Sequence, residues 1–166
     1  MSINIVAQAW GRKFLKPGDE VLLNVLEHHA NLVPWQFVAE QTGAVLKYIP
    51  LAGDGQLDLA RLDEVLSERT KIVPITGMSN VMGTVPPIIE IAKRAKAVGA
   101  LVLVDGAQSV PHLPTRVVDH GIDFLAFSGH KLYGPSASGA IYISRARMAE
   151  MRPFIGGGDM IRTVAK

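Results

Sequence analysis

Cysteine is absent from the 166 residues. Within this chain that excludes a disulfide, a thiolate metal site and a thiol nucleophile, while leaving the redox compartment open. No run of about eighteen uncharged apolar residues occurs, and the opening Met1-Ser2-Ile3-Asn4 lacks a basic stretch followed by an apolar one. The expectation is a soluble, cytoplasmic protein that does not engage a membrane. A dominant charge is missing too: seventeen Lys and Arg against fifteen Asp and Glu leave a net +2. Arg145, Arg147 and Arg152 lie near one another, but Glu150 interrupts them and no aromatic platform is interleaved. A solvated helix end fits that pattern better than a nucleic-acid surface.

What the chain does hold is core material, with 48% hydrophobic residues, enough for one ordinary domain. Ile3, Val6, Ala7, Trp10 and Phe14 recur at helical spacing, with Ser2 as the N-cap and Lys16-Pro17-Gly18-Asp19 as the stop. A strand is expected from Glu20 to Leu26, a helix from Asn31 to Gln41 with Pro34 in its first turn, and a strand from Ala44 to Leu51. Leu59, Leu62, Val65 and Leu66 mark a helix over Leu57 to Ser67, followed by a strand from Lys71 to Thr76. A helix from Pro86 to Ala97, closed by Gly99, precedes the buried strand Leu101 to Val104. Phe124 to Phe127 and Ala140 to Ile143 read as two more strands, close enough to pair antiparallel. This alternation implies an α/β fold, a mostly parallel sheet with helices on both faces.

Ligands of such sheets gather beyond the carboxyl ends of the strands. The residues there are Glu27-His28-His29, Gly77-Met78-Ser79-Asn80, Asp105-Gly106-Ala107-Gln108 and Ser128-Gly129-His130-Lys131. Together they meet the needs of pyridoxal 5'-phosphate (PLP): an amine, an acid for the pyridine nitrogen, a surface for the ring and donors for the phosphate. Lys131 is the amine, held by the turn Tyr133-Gly134-Pro135, although an isolated lysine is usually a surface residue. Asp105 is the acid, although an Asp-Gly pair alone reads as a turn or helix cap. Gln108, three residues on, can hydrogen-bond the ring's phenolic oxygen, although alone it reads as an ordinary polar loop residue. Ser128 and His130 are candidate phosphate donors, or singly ordinary turn residues. His28 can stack on the ring or act in acid-base chemistry, with a structural histidine as the next reading; a metal shared with His29 is disfavoured, because successive strand residues point to opposite sides.

The strings Glu27-His28-His29-Ala30-Asn31 through Pro34-Trp35, Ser79-Asn80-Val81-Met82-Gly83, Val104-Asp105-Gly106-Ala107-Gln108 and Ser128 through Pro135 closely resemble the cysteine desulfurase and selenocysteine lyase family, in its SufS-type branch. The resemblance runs in order along the chain and ends in Gly156-Gly157-Gly158-Asp159-Met160-Ile161. It implies the large-domain fold of PLP fold type I, that of aspartate aminotransferase. It further implies that Lys131 forms the cofactor's imine, Asp105 pairs with the pyridine nitrogen, Gln108 meets the phenolic oxygen and His28 stacks on the ring. Asn80 then lies near the phenolic oxygen and the substrate carboxylate, and Ser128 and His130 bind the phosphate. The implied substrate is L-cysteine or L-selenocysteine, the product alanine, and the sulfur goes to an acceptor protein for iron-sulfur cluster assembly.

The resemblance also implies a homodimer or other self-association. Family members are longer, with a phosphate-binding threonine before this segment and a persulfide-forming cysteine and a carboxylate-binding arginine after it. None of those is matched, so residues 1–166 read as a single, partial large domain, nearly inactive alone. The alternatives are a kynureninase-like or aminotransferase-like enzyme of the same fold, or a non-catalytic interaction module retaining it. A dinucleotide-binding domain is disfavoured, because no Gly-x-Gly-x-x-Gly opens a predicted helix.

Overall fold

The structure is a computed structural model that describes residues 1–157. Gly158 to Ile161 of the terminal glycine-rich string therefore lie outside the described residues. The opening helix forms, as α1 (Ser2–Val6), a π-helical turn (Ala7–Gly11) and α2 (Arg12–Phe14). Ile3, Val6, Ala7 and Trp10 are its buried face. Gly11 lets α3 come close, since a Cβ there would stand 3.2 Å from Val38 and 3.4 Å from Trp35. Ser2 is not the cap; it is the first helical residue, and its hydroxyl donates a long 3.4 Å bond to the Ala140 carbonyl.

The first strand, β1 (Glu20–Asn24), stops short of the expected Leu26 because the Asn24 side chain accepts the Leu26 N–H at 2.8 Å and turns the backbone. A 3₁₀ turn (His29–Asn31) leads into α3 (Val33–Thr42), with Pro34 in its first turn and Gly43 closing it at φ 75°. β2 (Val45–Ile49) follows. The expected helix from Leu57 to Ser67 shrinks to α4 (Leu62–Val65). Leu57 is drawn into a bridge with Leu51, and the Asp58 carboxylate accepts the Ala60 N–H at 3.1 Å, which favours a turn. Its predicted apolar face still packs inward, with Leu62 fully buried.

The remaining elements are β3 (Thr70–Thr76), α5 (Ile88–Ala97), β4 (Leu101–Asp105), β5 (Phe124–Ser128), a 3₁₀ turn (Gly129–Leu132), β6 (Gly139–Ile143) and α6 (Arg145–Glu150). The strands form one six-stranded sheet in the order β2-β1-β3-β4-β5-β6, parallel except for the antiparallel β5–β6 pair. Alternate strand residues feed two cores. Leu22, Val73, Ile75, Val102 and Val104 pack with α4 and α5. Val21, Leu23, Ile72, Leu103 and Phe124 pack with α1, α3 and the π turn on the other face. The α/β architecture with helices on both faces is thus as expected. The strand order reverses between β1 and β3, and the carboxyl ends flanking that reversal are where such a sheet opens a crevice.

Candidate functional site

A cleft of about 330 Å³ opens at those carboxyl ends, within the range of small-ligand sites. His28, Asn80, Asp105, Gln108, Ser128, His130 and Lys131 all line it, so every residue chosen from the sequence is brought to one place. His28 follows β1, Asn80 follows β3, and Asp105 and Ser128 are the last residues of β4 and β5. His130 and Lys131 ride on the 3₁₀ turn after β5, which Gly134 closes by donating its N–H to the Gly129 carbonyl at 2.9 Å. Two glycines let the chain fold this tightly. A Cβ at Gly106 would lie 2.7 Å from Val110 and 2.8 Å from Leu125, and one at Gly129 would lie 2.1 Å from the Ser138 hydroxyl.

Asp105 is buried at 7% exposure. One carboxylate oxygen accepts the Ala107 N–H at 3.0 Å; no donor among the described residues reaches the other. Burial pushes this carboxyl above the usual range, and the Ala107 N–H, His28 and Lys131 offset that only in part. A cationic ring nitrogen at the open oxygen would supply the missing partner. Asn80, Gln108, Ser128, His130 and Lys131 likewise make no side-chain hydrogen bond to the described residues, although all face the cleft. Polar groups that converge without protein partners suit a polar ligand.

A test follows from Asp105. Its raised pKa means that ionisation opposes folding, a cost that grows as pH rises above the ordinary value of 3.8. Asp105→Asn keeps an oxygen for Ala107 and removes the buried charge. The expected result is a higher urea midpoint at pH 8, the gain shrinking on acidification. A lower midpoint at pH 8 would contradict the account.

The His28 ring accepts the Ala30 N–H at Nδ1, 3.1 Å away, so a neutral His28 carries its proton on Nε2. His28 and His29 sit beyond β1, not on it, with ring centroids 5.8 Å apart and planes tilted by 48°. A turn, and not strand alternation, therefore separates them. His28 lines the cleft and His29 does not.

Sequence reasoning missed two parts of the site. Met1 to Asn4 form one wall, which no local motif signals because only the packing of α1 beside β5 and β6 brings them there. Glu27 stood in a quoted motif without a role. Its carboxylate accepts the Thr76 N–H and the Asn31 amide, each at 2.7 Å, and the Asn24 amide. Burial, with repulsion from Asp105, outweighs those donors and pushes it up to about 8.

Comparison with known proteins agrees with this geometry. The family profile described as Aminotransferase class-V matches residues 1–166. A cysteine desulfurase of Pectobacterium atrosepticum is 49% identical over 164 residues, which are 99% of this chain and 40% of that protein. A protein of Mycobacterium leprae named probable cysteine desulfurase 1 is 50% identical over 160 residues, 96% of this chain and 26% of that one. The chain thus spans well under half the length of these relatives. Among solved structures, the Escherichia coli cysteine desulfurase CsdA superposes with a TM-score of 0.95 at 45% identity, covering 99% of this chain and 41% of that one. A cysteine desulfurase from Thermococcus onnurineus gives 0.91 at 36% identity, with 99% and 41% covered. With its parallel sheet, its cleft at the strand ends and a profile match from end to end, the chain belongs to the class-V aminotransferase family.

Proposed function

We propose that this chain is a PLP-binding part of a cysteine desulfurase of the SufS type. It acts with the rest of such a protein to take sulfur or selenium from L-cysteine or L-selenocysteine and leave alanine. The observation that carries the reading is the convergence, in one cleft, of the Lys131 amine with a buried Asp105 carboxylate that has an open oxygen. When bound, the cofactor supplies an electron sink for the substrate carbon. The residues of this chain do the holding. Lys131 provides the amine for the cofactor's aldehyde, and Asp105 accepts from the ring nitrogen and keeps its proton in place. Gln108 and Asn80 serve the ring's phenolic oxygen, His28 covers the ring face, and Ser128 and His130 donate to the phosphate. Self-association as a homodimer fits the exposed Val85 and Ile89 at the rim of an apolar groove. A sulfur-acceptor protein is the partner, and the cytoplasm the setting.

The experiment is to incubate the purified chain with PLP, reduce with borohydride and map the labelled peptide. The expected label is on Lys131, and Lys131→Ala loses it by about tenfold or more, because a surface lysine lacks the neighbouring donors. Label spread over several lysines and unchanged in Lys131→Ala would remove this reading.

A further inference from the structure

We propose that Glu27 is a positioning residue of this cleft: it clamps the His28 loop to the end of β3 and so fixes His28 in the lining it shares with Asp105. The proposal rests on the cofactor reading for its purpose, but the clamp itself is on the page. Glu27 precedes His28 and reaches into three neighbouring elements. Through Oε1 it accepts the backbone N–H of Thr76, the last residue of β3, and the side-chain amide of Asn24, the last residue of β1. Through Oε2 it accepts the side-chain amide of Asn31, at the end of the 3₁₀ turn.

Asn31 is fully buried, and its Oδ1 in turn accepts the indole N–H of fully buried Trp35 at 3.3 Å. The Asn31 amide therefore cannot flip without turning its NH₂ against the indole N–H. The loop is thus tied at both ends, with His28 between the ties, while the His28 carbonyl and Nδ1 accept the Asn31 and Ala30 N–H groups.

The chemistry explains why a carboxylate stands there. An amide at position 27 has one oxygen, which can serve Thr76 and Asn24, but its NH₂ would then face the Asn31 NH₂, donor against donor. The groups facing Glu27 also make the carboxylate an expensive choice: Asp105 repels it, and no cation among the described residues pairs with it. All three groups bonded to Glu27 are donors, so this geometry is that of the ionised form, which has acceptors on both sides and which the fold holds above pH about 8.

The test exchanges the two chemistries. Glu27→Gln breaks the Asn31 bond. Adding Asn31→Asp restores it, because the new carboxylate accepts from the new amide with one oxygen and from Trp35 with the other. Amide hydrogen exchange is followed on the chain without cofactor, and PLP affinity by absorbance titration. In Glu27→Gln at pH 9, exchange at Ala30 and Asn31 is expected to quicken about tenfold, the equivalent of one buried hydrogen bond, while Thr76 keeps an acceptor in the glutamine oxygen and changes less, with the urea midpoint held or raised by removal of the buried charge. PLP affinity falls by a similar factor, and the paired variant recovers both.

A residue that merely stabilised the fold would instead quicken exchange across β1 and β3 alike and lower the midpoint. That result, or unchanged loop exchange, or a paired variant no better than the single one, overturns the proposal. If Glu27→Gln does not fold, the paired variant decides: wild-type loop exchange supports the clamp, and anything faster removes it. If the loop responds as expected but wild-type protein never labels at Lys131, the clamp stands and the cofactor reading falls.

Discussion

Loaded with PLP and given L-cysteine and a reductant, these 166 residues are expected to release sulfide and alanine at a rate lower by about 10³-fold or more than a full-length desulfurase. Transfer of the substrate's sulfur to an enzyme requires a nucleophile that attacks sulfur and then stores it. A thiolate does both, because it is polarisable, largely accessible near neutral pH and able to hold sulfur as a persulfide. The chain contains no cysteine. Its serine and threonine hydroxyls are far less acidic, and an alkoxide gives no storable product with sulfur. The carboxylate-binding arginine implied by the resemblance is unmatched as well, and an unanchored substrate loses the orientation that makes attack within a complex fast. Selenocysteine, whose selenium leaves more readily, is expected to lose less. Sulfide and alanine measured together settle the matter: repeated, stoichiometric turnover at a full-length rate would show that another group carries the sulfur.

Glu20→Ala is expected to cost about 1–3 kcal/mol of folding stability, the penalty for leaving buried hydroxyl donors without their acceptor, since the cations it pairs with keep access to water. The Glu20 carboxylate, only 1% exposed at the start of β1, is paired with Lys47 at 2.9 Å and Arg69 at 3.0 Å. It also accepts the Ser67 hydroxyl at 2.6 Å and the Thr70 hydroxyl at 3.1 Å. Burial by itself would raise its pKa; Ser67, Lys47 and Thr70 outweigh it, and the net direction is down. Removing the carboxylate leaves a partly buried ammonium and two hydroxyls without their acceptor. Glu20→Gln, which retains one acceptor, is expected to fall between wild type and alanine.

The pH dependence separates this cluster from the cleft. Because Glu20 titrates below its ordinary 4.5 in the fold, its contribution is complete above that pH and disappears as pH falls through the folded value. Glu27 has the opposite sign. Its folded value of about 8 means that stability declines as pH rises from 4.5 to about 8 and then levels. Urea midpoints across pH 3 to 9 should therefore pass through a maximum in the mildly acidic range. Glu20→Ala should flatten the acid limb and Glu27→Gln the alkaline one. Limbs unchanged by either substitution would refute the assignment.

Much of the fold was legible because its periodicities are local. Ile88, Ile91, Ala92 and Ala95 mark α5, and the four apolar residues before Asp105, bounded by Gly99 and Gly106, read as a buried strand. The cleft residues were legible for a related reason: polar groups placed just after apolar strands must emerge at one end of a parallel sheet. The length of α4 was not legible, since Leu57 has equal claim to a helix face and to a bridge with Leu51, and only the partner's position selects the bridge.

The sequence by itself determined the α/β class, the strand ends that line the cleft, and the lack of a thiol among these residues, because each depends on residue type and spacing along one segment. Tertiary structure alone decided the strand order, the wall built by Met1 to Asn4 and the linkage of Glu27 to Thr76 across forty-nine residues. These arise from contacts between segments distant in sequence, where a carboxylate finds its donors only after β1 and β3 have paired side by side.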